Sequence, residues 1–213
     1  MVRLATIPAQ QLLAETRAAL LLVDVTNRFI FGNETAPAPT ARVLPALEAL
    51  LGAARRHGIP RFFVTVADGP GAHETAPWLR RRADMGADIR ARAARPAPPA
   101  WGNAIPAAIA PLPDEVHLTK RRTSAFYETS LELLLRGAGI ETVVLGGVAS
   151  YGCIIATYID AYSRGFFPLL CTDAVDGADA AMHAGALAVM GATSRLRADD
   201  VVAVWSGART AAT

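Results

Sequence analysis

Cysteine is scarce in this 213-residue chain. There are two, Cys153 and Cys171, too few for the disulfide framework that staples small secreted domains. Lysine is scarcer still: of 21 basic residues one is a lysine, Lys120, and the rest are arginines. No apolar run approaches the ~20 residues that a membrane span needs. Glu15 and Arg17 interrupt the basic-then-apolar order of a signal peptide. The charges nearly cancel, at a formal +2, so no basic field points to nucleic acid or an anionic membrane. The arginines at 80–82, 90, 92 and 95 form a local basic stretch that reads as a solvated helix face. GGVASYG, at 146–152, lacks the spacing and the lysine of a phosphate-binding loop. No His, Asp or Cys pair stands at a familiar ligand spacing, so neither a metal nor another cofactor is expected. These absences predict a cytoplasmic globular protein in a reducing compartment, where a thiol stays free to act as a nucleophile.

What is present is an alternation. Residues 18–25 (AALLLVDV) are almost wholly apolar and too short for a buried helix, which suits a strand covered on both faces of a parallel sheet. Residues 40–58 carry apolar side chains at spacings of three and four and stop at His57-Gly58, as a helix with a glycine C-cap does. Residues 59–67 read as a second strand. Residues 68–113 break the rhythm. They hold eight of the fourteen prolines and read as a surface excursion that carries part of a substrate pocket. Strands then follow at 115–119, 142–148, 166–171 and 201–205, with helices at 124–137, 149–164 and 178–193. Six strands with intervening helices predict a single domain over 1–213, a doubly wound α/β fold around a mainly parallel sheet.

In such sheets ligands bind beyond the carboxyl ends of the strands, and three chemically apt residues fall there. Asp24 ends the first strand, Lys120 the third, and Cys153 follows the fourth where a helix begins. A helix N-terminus favours thiolate and is expected to lower the cysteine's pKa. Its backbone N–H groups also suit an oxyanion, and Gly152 permits close approach of a substrate. A desolvated Asp24 is a base for the thiol. Lys120, the lone lysine, suits a buried charge between the two. Each has a plainer reading, as a packed cysteine, a turn aspartate or an exposed lysine. Cys171 lies within a strand pattern and reads as core. His57, His73, His117 and His183 all read as structural.

Taken together, ALLLVDVTNRF with Asp24, LTKRRTSAFYETSLELLLRGAGIETVVLGGVAS with Lys120, and YGCIIATYIDAYSRGF with Cys153 resemble the isochorismatase-like cysteine hydrolases, over about residues 15–205. Glycine before the cysteine is similar to the N-carbamoylsarcosine amidase and maleamate amidase group. The resemblance implies a three-layer α/β/α fold with strand order 3-2-1-4-5-6, an Asp24–Lys120–Cys153 triad, a non-proline cis peptide at Val148-Ala149, and an oxyanion hole from the N–H groups of Ala149 and Cys153. It implies hydrolysis of a small amide or ureido C–N bond through a thioester, with release of ammonia and without metal. It also implies a homodimer or homotetramer. Asn27, Arg28, Phe29, Arg121, Tyr127 and Tyr151 stand near these positions in sequence and, with Trp78 from the 68–113 excursion, are candidates for substrate binding, Arg28, Arg121 and Arg122 being suited to a carboxylate. Thr26 stands where many members carry Gln. The Asp-x-His pattern of nicotinamidases is missing from VADGPGAHE at 66–74. A second possibility is a non-hydrolytic or acyl-transferring member that serves as a binding or assembly subunit.

Overall fold

The computed structural model describes residues 7–32, 39–66 and 99–207. Trp78, His73, the basic stretch at 80–95 and nearly all of VADGPGAHE lie outside the described residues. The strands are β1 (Ala18–Val23), β2 (Arg61–Val66), β3 (Val116–Lys120), β4 (Thr142–Val148), β5 (Phe167–Asp176) and β6 (Arg195–Leu196). The helices are α1 (Ala9–Glu15), α2 (Asn27–Ile30), α3 (Leu44–Arg56), α4 (Pro99–Asn103), α5 (Leu131–Gly137), α6 (Ile155–Ser163), α7 (Ala180–Val189) and α8 (Ala198–Trp205).

The strands form one parallel sheet in the order β3-β2-β1-β4-β5-β6. The order is the one the resemblance implies. Strand β1 shows why it is buried throughout. Ala18, Leu20 and Leu22 join one core with α1, α3 and α8, while Ala19, Leu21 and Val23 join the other with α5, α6 and α7. A period of two with both faces apolar suits a central strand between two helical layers.

Several elements differ from the sequence expectation. Residues 201–205 are not a strand but the end of helix α8. A five-residue apolar run cannot separate strand from buried helix by its pattern. The deciding signal lies upstream, where the Asp200 side chain accepts from the Arg197 N–H at 3.0 Å and caps the helix. The sixth strand is instead the two-residue β6. The helix expected over 124–137 is reduced to α5, because Glu128 takes a left-handed backbone (φ 54°) and the Ala125 N–H donates to Thr157 Oγ1 at 3.0 Å rather than to a helical carbonyl. Strand β5 runs five residues past Cys171. Thr172 and Asp173, which read as a polar stop, are satisfied by β6 and the start of α8: Thr172 Oγ1 donates to the Leu196 carbonyl, and Asp173 Oδ1 accepts from Ala198 N. Helix α1 was not anticipated.

Candidate active site

The turn after β1 places Asp24. Its backbone is left-handed (φ 55°), a conformation that Asp tolerates better than most residues, and its side chain turns toward the neighbouring strand end. There Oδ1 accepts from the Val66 N–H at 2.8 Å. Lys120 closes β3, and Val66 is its register partner on β2, so the lysine reaches across the β2 end to Asp24. The two charges meet at 2.8 Å (Nζ to Oδ2) with side chains 1% and 2% exposed. A buried pair of this kind is tolerable only when its remaining donors and acceptors are satisfied. The ammonium meets this condition, with further bonds to the Arg122 carbonyl at 3.1 Å and to Cys153 Sγ at 3.2 Å. Three donors have three partners.

Cys153 comes from the next strand over. The Val148–Ala149 peptide bond is cis, and residues Ser150–Ile154 make one wide π-type turn before α6 begins. Thr157 Oγ1 donates to the Cys153 carbonyl at 2.6 Å and anchors that turn to the first turn of α6. A Cβ placed on Gly152 meets nothing within 4 Å, so the space over the residue before the thiol is open.

The thiol's electrostatics correct the sequence expectation. Burial pushes its pKa up, the Asp24 carboxylate adds to the rise, and the Lys120 ammonium opposes it, leaving the thiol at about 12. The expected lowering by the helix terminus is overridden because the sulfur is desolvated and the carboxylate beside it opposes the pull of the ammonium. It is a protonated thiol at rest, held against a carboxylate that can receive its proton.

The other candidates are scattered around this centre. Asn27 is buried and ties α2 to α4: its side-chain N–H donates to the Trp101 carbonyl at 2.9 Å and its backbone N–H to the Ala104 carbonyl. Arg28 stacks over Phe29 at 4.8 Å, and Phe29 is exposed. Arg121 and Tyr127 are exposed on the turns after β3. Tyr151 lies in the cysteine turn itself, against Gly177. Cys171 is fully buried in β5. Among the described residues, no three His, Cys, Asp or Glu side chains converge as a metal site would require. Among the described residues, no helix is long and apolar enough to cross a membrane. Two surface clefts beside α1 and α8 are lined by none of the residues of this centre.

Residues missed by sequence reasoning sit on the opposite flank of the cysteine turn. Ser150 is completely buried, and its Oγ lies 2.9 Å from Nδ1 of His183 on α7. Asp176 ends β5 beside Val148, as Asp24 follows the end of β1. A second aspartate closing an apolar strand was the available signal, masked by the early strand end read at Cys171. Thr26, read as a departure from the usual Gln, is buried with an unpartnered hydroxyl.

A parallel sheet of this order, with a carboxylate, an ammonium and a thiol gathered at its carboxyl edge, defines an α/β fold of the isochorismatase-like hydrolase kind. The chain belongs to the isochorismatase family: the model of the isochorismatase domain matches residues 18–197. A ureidoacrylate amidohydrolase, RutB, of Methylorubrum extorquens is 35% identical over 127 residues, 57% of this chain and 49% of that protein. An N-carbamoylsarcosine amidase of an Arthrobacter species is 28% identical over 160 residues, 72% of this chain and 57% of that protein. The chain thus spans about half the length of the curated relatives it matches. The crystal structure of N-carbamoylsarcosine amidase from Thermoplasma acidophilum superposes with a TM-score of 0.67 at 28% identity, covering 86% of this chain and 97% of that one.

Proposed function

We propose that this protein is a cysteine-dependent amidohydrolase that cleaves a small linear amide or N-carbamoyl C–N bond and releases ammonia. The observation that carries the reading is the Lys120 ammonium, buried between Asp24 at 2.8 Å and Cys153 at 3.2 Å. The names of the relatives, which act on ureido and amide compounds, support the same class.

The chemistry follows from these positions. Asp24 takes the thiol proton as Sγ attacks the substrate carbonyl, which forms the S–C bond and moves the carbonyl π electrons onto oxygen. The N–H groups of Ala149 and Cys153 receive that oxyanion. Lys120 offsets the negative charge on sulfur while it lasts and holds Asp24 in place. Collapse of the intermediate breaks the C–N bond, and the proton held by Asp24 passes to the leaving nitrogen. Water, deprotonated by the same carboxylate, then cleaves the thioester and frees the thiol. A thiol whose ordinary state is protonated fits this scheme, because base and nucleophile are activated together. Arg28, Arg121, Phe29, Tyr127 and Tyr151 would line the entrance, with the arginines suited to a substrate carboxylate.

The test is ammonia release over a panel of N-carbamoyl amino acids, maleamate and simple amides, with intact-mass detection of an acyl adduct. Turnover by the wild type and a fall of at least about a thousandfold in Cys153→Ala are expected. Full turnover by that variant overturns the nucleophile assignment.

A further inference from the structure

The carboxylate and ammonium hold one side of the cysteine turn, by its sulfur. The other side is held by a set of residues that never touches the sulfur. Ser150, the first residue of the turn after Ala149, is fully buried, and its Oγ meets His183 Nδ1 at 2.9 Å. His183 is mostly buried, and Asp176 Oδ1 lies 3.9 Å from the same nitrogen, too far for a hydrogen bond but close enough to place a carboxylate charge beside the ring. Asp176 is itself fixed: Oδ1 accepts from the Gly177 N–H at 2.7 Å and from Arg42 at 2.6 Å, while Oδ2 is buried without a partner. Register pairs Asp176 with Val148, one residue before Ala149. Gly177 closes the arrangement, since a Cβ there would come within 2.8 Å of Tyr151 Cδ1 and 3.1 Å of Ser150 Oγ. The end of β5 and one side chain of α7 therefore clamp the segment that runs from Ala149 to Cys153.

We propose that His183, acting through Ser150 Oγ, is a positioning residue that holds the Ala149 and Cys153 amides where the substrate oxygen becomes negative. The inference rests on the amidohydrolase reading and assigns a separate duty within it. Asp24 and Lys120 govern the sulfur, and His183 with Ser150 governs the oxyanion side. A donor moved by a fraction of an ångström loses much of its value in the transition state while leaving substrate binding intact.

The test compares His183→Ala, Ser150→Ala and His183→Asn in the full chain, Asn being able to offer an amide nitrogen near the position of Nδ1. Three quantities are measured. The first is kcat and KM on the best substrate of the panel. The second is the affinity of propanal, read as protection of Cys153 from iodoacetamide. The thiol adds to this aldehyde, forming an S–C bond as the C=O π bond opens and the thiol proton passes to oxygen, so the adduct places its oxygen in the same hole. The third is the rate of alkylation itself, which reads the sulfur alone. His183→Ala and Ser150→Ala are expected to lower kcat about 10–100-fold with KM within about twofold. Propanal affinity should fall by a similar factor, alkylation should stay within about twofold, and His183→Asn should recover most of the loss. Unchanged kcat and propanal affinity in His183→Ala overturns the proposal, and so does an alkylation rate that falls in step with kcat. Should the alanine variant not fold, Ser150→Ala and His183→Asn carry the same comparison. A wild type that hydrolyses nothing in the panel refutes the amidohydrolase reading, and the propanal comparison still decides the role of His183.

Discussion

The sulfur of Cys153 sits beside a contacting pair of opposite charges inside a desolvated strand-end cluster, and its reactivity is set by their difference. Burial and Asp24 raise its pKa to about 12, against the pull of Lys120. At neutral pH the wild-type thiol is protonated, so its alkylation by iodoacetamide should climb with pH through 9 without a plateau. Removing the carboxylate charge while keeping the ammonium leaves only the group that favours thiolate. Asp24→Asn should therefore alkylate at pH 7 at least about fivefold faster than the wild type, yet hydrolyse amides at least about a hundredfold more slowly because the base is gone. Alkylation that slows with hydrolysis in this variant would contradict the assignment of Asp24. That Asp24, Lys120 and Cys153 come together was legible in the sequence because each follows or ends a strand, where the α/β architecture puts ligands. The charge state of the thiol was not legible. It depends on how deeply three distant strand ends bury one another, and no local pattern encodes that.

At the scale of elements, the close approach of β4 to β1 explains why VLGGV ends as it does. A Cβ at Gly146 would come 2.8 Å from Leu47 Cδ2 on α3 and 3.3 Å from Leu22 Cδ2 on β1, both ends of flexible side chains. At Gly147 the neighbour is the Val23 carbonyl, which cannot move without breaking the sheet, and the backbone there has φ 123°. Gly146→Ala should cost roughly 1–3 kcal/mol as an overpacked core. Gly147→Ala should cost more and should displace Asp24, one residue past Val23, with loss of activity beyond its loss of stability. Urea midpoints and kcat on the two variants check the ranking, and equal effects would refute it. The apolar strands β1 and β4 could be read from the sequence because their composition and their burial agree. Helix α8 could not, since its Val201–Trp205 end is as apolar as a strand and only the Asp200 cap upstream distinguishes the two. Strand β5 was cut short for a related reason: its polar residues are satisfied by contacts from β6 and α8 that lie more than twenty residues away.

At the scale of the molecule the two helical layers are unlike. Among the described residues, no large exposed apolar side chain belongs to α1, α3 or α8, whereas the layer of α5, α6 and α7 displays Leu133, Ile159, Tyr162, Met182 and Val189. Tyr162 is 72% exposed and Val189 67%. Helix α7, AAMHAGALAV, is apolar almost all round yet buries only Ala186, and a helix of that composition belongs in an interior. Apart from His183 it carries no titratable side chain, so a like-with-like contact meets no charge repulsion there. We therefore expect this layer to be covered by further copies of the chain, as a homodimer or homotetramer. Light scattering after size exclusion should give a multiple of 22.4 kDa at micromolar concentration, and Tyr162→Glu combined with Val189→Glu should shift it toward monomer while the separated protein stays folded. A wild type that runs as monomer at those concentrations refutes the expectation. Because α7 also carries His183, dissociation should loosen the clamp on Ser150. The monomeric variant should then lose kcat more than it loses the rate of Cys153 alkylation, the same signature expected for His183→Ala.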